Sequence, residues 1–128
     1  MTLRVLSVRH PWAWAVLHAG KDVENRTWTT AHRGMVAIQA GRLPAADARE
    51  KLRAMGIEVP AGLPTGVVLG VVDLVGIVRD SGSPWAVPGR WHWQLANPRP
   101  LAEPVSLLGR QSLFTASAAV ERAVRAQL

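Results

Sequence analysis

Cysteine and tyrosine are both missing from this chain, and phenylalanine occurs once. The lack of cysteine excludes disulfides, thiolate metal sites and cysteine nucleophiles. Because there is no tyrosine, the six tryptophans are the only strong fluorophores. These absences remove several classes of enzyme and leave a chain whose aromatic chemistry is almost entirely that of indole.

Long hydrophobic runs are also missing. The longest, "GVVLGVVDLVGIV" at 66–78, is interrupted by Asp73 and is shorter than the ~20 residues of a spanning helix. The opening stretch "MTLRVLSVRHPW" lacks the apolar core of a signal peptide. We therefore expect a cytoplasmic protein without a membrane partner.

Acidic residues are few: nine, against fifteen basic ones, for a formal net charge of +6. Lys21 and Lys51 are the only lysines, so nearly all the positive charge is arginine. The planar guanidinium suits phosphates and base edges, and it also stacks on rings. This balance favours a polyanionic partner, although GC-rich genomes also replace lysine with arginine, so charge alone leaves the partner open.

The chain of 128 residues predicts a single domain, 1–128. Alternation over 3–9 predicts a strand, Pro11 suits a helix start, and 66–78 predicts a long strand in which Gly70 and Gly76 permit bulges. Five to six strands with two to three short helices indicate an α+β domain. Strands bent at glycine in this way often curl into a small barrel, closed or half-open.

A second helix is predicted on the surface at 44–55, in "PAADAREKLRAM". Ala48, Leu52 and Met55 are spaced to form its inward stripe.

The stretch "GKDVENRTW" at 20–28 is unusually rich in charge and amide groups. On a strand, Asp22, Glu24, Arg26 and Trp28 share one face, and Glu24 and Arg26 lie ~7 Å apart, within reach of each other. One interpretation is a solvated edge. We favour a ligand cleft, because large indoles are seldom left freely exposed.

The first helix begins at "RHPW", beside Arg9 and His10. Free backbone N–H groups at a helix start, with basic neighbours, predict an anion site there, although an ordinary Pro-initiated helix has the same sequence.

The tryptophans divide by position. Alternation assigns Trp91 and Trp93 to the core. Trp12 and Trp28 flank the polar stretch and are candidates for stacking, whereas Trp85 lies in the loop "DSGSPWAVPG", which we expect to be remote from the site.

Metal binding is not indicated, because the histidines lack ligand-like spacing. They are His10, His18, His32 and His92. No cofactor is expected.

With these features the chain resembles the ASCH domain, a family of PUA-like barrels whose signature is G-x-K-x-x-E-x-R. Here "AGKDVENRTW" supplies Lys21, Glu24 and Arg26, while Ala19 stands at the first glycine. The resemblance extends to "RGMVAIQAG", "TGVVLGVVDLV", "WHWQLANPRPL" and "LLGRQSLF", about 110 of 128 residues in all.

The resemblance implies a small barrel whose cleft is lined by the signature residues and binds RNA or a nucleobase. Relatives in the superfamily bind RNA or modified bases, some remove the acetyl group of N-acetylcytidine, and others are linked to RNA cleavage. In the deacetylating relatives the lysine matching Lys21 is catalytic, and a threonine stands where this chain has Glu24. The resemblance therefore implies slow or absent deacetylation.

Two chemistries fit the same groups. In a binder of single-stranded RNA or a modified nucleoside, indoles stack on bases, Glu24 and Asn25 read base edges, and Lys21 and Arg26 hold oxygen acceptors. In a hydrolase or ribonuclease, Lys21 and Glu24 are the catalytic residues. In either case Lys21 and Arg26 are expected in a wet cleft, where their loss costs little stability; the oligomeric state is open. The predicted site comprises Arg9, His10, Trp12, Lys21, Glu24, Asn25, Arg26 and Trp28.

Overall fold

The computed structural model describes residues 2–107 and 113–128. Part of the closing stretch "LLGRQSLF", residues 108–112, lies outside these ranges. The strands are β1 (Arg4–Arg9), β2 (Val23–Arg26), β3 (Gly34–Gly41), β4 (Val67–Val78), β5 (Trp91–Ser106) and β6 (Leu113–Thr115). The helices are α1 (Trp12–His18), α2 (Ala48–Ala54) and α3 (Ala118–Arg125). None of the helices in the described ranges has the length and apolarity to cross a membrane.

All six strands belong to one curled sheet in the order β2-β5-β4-β3-β1-β6. β1 and β3 run parallel, and the other neighbours are antiparallel. The expected α+β architecture, a half-open barrel with short flanking helices, is confirmed.

The sheet has apolar side chains on both faces. Leu6 and Val8 of β1 pack with Val16 of α1, whereas Leu3 and Val5 belong to the cluster that contains α3. A strand buried on both sides needs no polar face. This double burial fixes β1 in the middle of the fold.

Both glycines of β4 occur where the pairing with β5 changes register, beside Gly70 and beside Gly76, which confirms the predicted bulges. β2 pairs with only the first residues of β5, Trp91–Gln94. The later part of β5, which carries Pro98, Pro100 and Pro104, is paired on one side only in the described structure, as suits proline.

The predicted helix at 44–55 is wrong at both ends. α2 begins at Ala48, because Asp47 has a left-handed backbone (φ 57°), and it ends at Ala54. Ala48 and Leu52 are buried as expected, but Met55 lies beyond the helix and is 43% exposed.

The core assignment also holds for Trp93 and only partly for Trp91. Trp93 is fully buried. Trp91 is half-buried, with the Arg79 guanidinium 4.7 Å from its ring centroid, so one of its faces serves as a cation–π platform.

Gly70 should tolerate no side chain. A Cβ there would lie 2.7 Å from Arg99 O and 2.8 Å from Leu17 Cδ2, and the carbonyl is backbone that cannot turn aside. We expect Gly70→Ala to destabilise the fold by about 1–3 kcal/mol. Urea unfolding would measure this change.

Gly76→Ala is the matched control on the same strand. A Cβ at Gly76 would meet chiefly Oε1 of the Gln94 side chain, which can move away. Equal losses of stability for the two variants would contradict the close approach at Gly70.

Candidate nucleic-acid interface

A cleft of about 1160 Å³ opens where the curled sheet fails to close. β6 pairs only with Arg4–Leu6, so in the described structure the Ser7–Arg9 edge of β1 faces β2 without a strand partner. The Arg26 side chain spans this gap, its Nη2 donating to Ser7 O at 2.6 Å. A side-chain hydrogen bond from Arg26 therefore links β2 to β1 where no backbone pairing among the described residues joins these two strands.

The floor of the cleft is a network of three charged side chains. Lys21 Nζ donates to Glu24 Oε1 at 2.9 Å and to Val23 O at 2.6 Å. Arg26 reaches the other oxygen, Oε2, through Nε at 3.0 Å and through Nη2 at 2.9 Å. Both carboxylate oxygens are therefore occupied.

Burial and charge act on Glu24 in opposite directions. Burial by itself raises the pKa of Glu24, but the charges and hydrogen bonds of Lys21 and Arg26 outweigh it and hold the pKa below its ordinary value. Glu24 thus stays ionised, and its charge is balanced by two cations.

The predicted contact between Glu24 and Arg26 is confirmed. The expectation of a wet site is wrong for Lys21, whose side chain is only 4% exposed, and Arg26 is 19% exposed. Removing one partner of a buried ion pair leaves a charge uncompensated and typically costs 3–5 kcal/mol, so on the order of that loss is expected for Lys21→Ala.

Asn25 has a different task from the base reading assigned to it. Its Nδ2 donates to Trp85 O at 3.0 Å, and its Oδ1 accepts from Val87 N at 2.9 Å. Both ends of the amide therefore hold the loop between β4 and β5, residues 79–90.

His92 and Asp22 hold the same loop. The Ser81 N–H donates to His92 Nδ1 at 3.1 Å, which leaves the proton on Nε2 to donate to Val87 O at 2.8 Å. Ser83 Oγ donates to Asp22 at 2.6 Å. These contacts fix the 79–90 loop as a wall of the cleft.

That loop brings Trp85 into the site, so the expectation that Trp85 is remote is wrong. Its ring meets Trp12 edge to face, with centroids 6.4 Å apart. Lys21 Nζ lies over the same Trp12 ring, 5.5 Å from its centroid.

Trp28 forms a third aromatic surface. It packs edge to face on buried Trp93 at 4.7 Å, and its backbone oxygen accepts from the Trp93 indole N–H. The Arg26 guanidinium lies 5.9 Å from its ring centroid. Trp12, Trp28 and Trp85 are all half-buried and line the cleft.

Four exposed basic side chains surround the mouth, and none forms an ion pair or side-chain hydrogen bond with the residues the structure describes. They are Arg9, Arg42, Lys51 and Arg90. With Lys21 and Arg26, the lining holds six basic side chains against the single acid Glu24.

His10 does not line the cleft. It is 6% exposed, and its Nε2 donates to Pro64 O at 2.7 Å. Desolvation lowers the pKa of His10, and the nearby Arg49 lowers it further against the opposing effect of the Pro64 bond. A neutral, buried imidazole contributes no charge to an anion site, so the pairing of Arg9 with His10 there is not supported.

Seven of the eight predicted site residues therefore meet in one cleft. Sequence reasoning missed Trp85 and the rim residues Arg42, Lys51 and Arg90. A signal existed for Trp85, because a twelve-residue loop that holds an indole between prolines is more often functional than a plain connection.

The chain is similar to known proteins both in sequence and in fold. The family model described as ASCH domain matches residues 6–104. Activating signal cointegrator 1 from mouse and from human are each 37% identical over 78 residues, 55% of this chain. The match spans only 13% of the length of those curated relatives.

Solved structures agree on the fold. The ASCH protein from Zymomonas mobilis is 17% identical with a TM-score of 0.60, over 97% of this chain and 94% of that one. A single-residue mutant of the same protein gives 0.63 at 16% identity, over 98% of each chain.

The buried carboxylate makes the stability of the fold depend on acid pH. Because the folded-state pKa of Glu24 lies below its ordinary 4.5, its stabilising contribution is complete above pH 4.5 and is lost as pH falls toward the folded-state pKa. We expect Glu24→Gln to be less stable than wild type at neutral pH and to lose less stability on acidification. Urea unfolding at neutral pH and at a series of pH values from above to below 4.5 would measure both differences.

Glu50→Gln is the control, since Glu50 is an exposed acid of α2 without an ion pair in the described structure. If the free energy of unfolding fell equally with pH in wild type and in Glu24→Gln, Glu24 would not be the source of the acid sensitivity.

Proposed function

The chain belongs to the ASCH domain family, and we propose that its cleft binds single-stranded RNA or a nucleobase. In this proposal bases enter between the indoles and phosphates lie along the basic rim. The activities of the longer curated relatives are not needed for it.

The observation that carries the proposal is the separation of charges in the cleft. Lys21 and Arg26 neutralise Glu24 at the floor, so the four rim cations meet no acid among the lining residues. Uncompensated arginines and lysines around a concave surface attract a chain of phosphates.

The aromatic walls support the same ligand. Indole faces stack on unpaired bases at ~1–3 kcal/mol per base, and only single strands offer bases that can leave their neighbours. Trp12, Trp28 and Trp85 border one cavity beside that charge. A surface that bound acidic protein through charge alone would not need three indoles.

The hydrolytic alternative, with Lys21 and Glu24 as catalytic residues, receives less support from the contacts. Lys21 Nζ donates to Glu24 and to Val23 O, so it is engaged within the fold and its side chain is only 4% exposed. Glu24 accepts an N–H from both cations, which hold its pKa below the ordinary value against the effect of burial and so make it a weak base for activating water.

Binding should weaken with salt. With about three phosphate contacts, the log–log slope should be near −2 on the single-strand rule. Arg42→Ala combined with Arg90→Ala should weaken binding of a short oligouridylate and make the slope shallower by about 1.4, because two rim contacts are lost. Fluorescence anisotropy over a salt series measures both.

The matched control is Arg53→Ala combined with Arg122→Ala. It removes the same charge from exposed positions outside the cleft lining. If this variant lost as much affinity and slope as the rim variant, net charge rather than the cleft would bind the strand.

Saturable quenching of tryptophan emission by the same oligomer is a separate expectation, because a stacked base quenches indole. Trp12→Phe and Trp85→Phe should each reduce the quenched fraction. Trp14→Phe should not, since Trp14 lies outside the cleft lining and stacks on His18 at 6.2 Å.

Melting temperatures of each variant distinguish lost stacking from lost folding. Identical quenching in wild type and both cleft variants would show that neither Trp12 nor Trp85 stacks on a base.

A further inference from the structure

We infer that the cleft offers mainly hydrogen-bond donors and recognises acceptors on its ligand. It therefore favours strands with keto bases (uracil, or the six-keto purines guanine and hypoxanthine) over strands with amino bases. The inference rests on the proposed function and names its ligand class. It follows from an inventory of which polar groups in the cleft remain free.

The acceptors are already in use. Glu24, the only acid of the described lining, accepts one N–H from Lys21 on Oε1 and one from Arg26 on Oε2, and Arg26 Nη2 also lies 2.9 Å from Oε2. The Asn25 carbonyl receives the Val87 N–H. Among lining side chains with oxygen, only the hydroxyl of Ser7 stays uncommitted, and a hydroxyl can donate as well as accept.

The donors, by contrast, are free. The indole N–H groups of Trp12, Trp28 and Trp85 have no partner among the described residues, whereas that of Trp93 is used within the fold. None of the three nitrogens is a buried atom, so each is accessible to solvent, and each belongs to a side chain that lines the cleft. Indole can only donate.

The rim adds further donors that cannot accept. Guanidinium and ammonium groups carry N–H only, and the side chains of Arg9, Arg42, Lys51 and Arg90 are uncommitted in the described structure. An exocyclic group that enters this space must accept a hydrogen bond rather than donate one. Phosphates do so on every strand, and keto bases do so at the exocyclic position farthest from the ribose.

An amino base presents N–H at that same position. Cytosine or adenine would then set donor against donor in a partly dehydrated cleft, leaving both unpaired, and unpaired donors are more costly than absent ones. The ring system is the same within each keto and amino pair, so the comparison isolates the groups at the base edge as far as natural bases allow.

The experiment compares oligomers of equal length at neutral pH and fixed salt: oligouridylate with oligocytidylate, and oligoinosinate with oligoadenylate. An abasic ribose-phosphate oligomer reports the phosphate contribution alone. We expect each keto oligomer to bind about tenfold or more tighter than its amino partner, and the abasic chain to bind weakest.

Equal affinities within both pairs would overturn the inference while leaving RNA binding in place, since only phosphates and stacked base faces would then be recognised. Tighter binding of the amino oligomers would overturn it as well. If none of the oligomers bound, the proposed function itself would fail, and the inference with it.

Variants identify the donors. Replacing Trp12, Trp28 or Trp85 by Phe keeps a ring and removes the N–H, so at least one of these changes should narrow the ratio of uridylate to cytidylate affinity and leave abasic binding unchanged. Trp14→Phe should leave the ratio as it is. A ratio unaffected by all three cleft variants would overturn the assignment of indole donors.

Discussion

The contact between Arg26 and Glu24 is the constraint on which the site depends. Arg26 belongs to the terminal strand β2 and reaches the free edge of β1 at Ser7 O, so it joins the two sides of the opening in the sheet. A guanidinium in that position needs a fixed orientation, and Glu24 fixes it by accepting the Arg26 Nε–H on Oε2, with Nη2 also 2.9 Å from that oxygen. Lys21 then pairs with the other carboxylate oxygen, Oε1, to which Arg26 does not donate. The cleft exists because this network holds the gap at a set width.

The second determinant is the 79–90 loop, which would otherwise be free to leave the surface. Side chains from β2 and β5 bind its backbone at Trp85, at Val87 and at Ser81. Because the anchors are Asn25 and His92, residues of strands that pair with each other, the loop moves as one body with the sheet. The indole of Trp85 is therefore positioned before any ligand arrives, and the ordering entropy is not lost on binding.

Local patterns predicted what local geometry determines. β1, β4 and the Glu24–Arg26 contact follow from alternation along strands, and the seven cleft residues that were foreseen all adjoin one sequence motif. Trp85 could not be placed that way, because its bond to Asn25 joins residues 60 positions apart. His10 was misassigned although a signal was present: it shares the parity of Leu6 and Val8, whose side chains enter the core. Met55 was wrongly predicted to face inward, because the helix begins later and ends sooner than its composition suggests and Met55 lies beyond it.

The arrangement also explains why one chain carries so many arginines and so few acids at this surface. A buried carboxylate is tolerated only when cations satisfy it, and once satisfied it has little capacity left for a ligand. The acid of the motif thus acts on the fold, and in the proposed binding the groups left for a ligand are ones that can only donate. The exposed arginines and indoles retain their hydrogen-bonding capacity because the described part of the cleft offers them no carboxylate. A change that supplied one at the rim, such as Arg42→Glu, would alter both the charge and the hydrogen-bonding character of the cleft without touching the network that keeps it open.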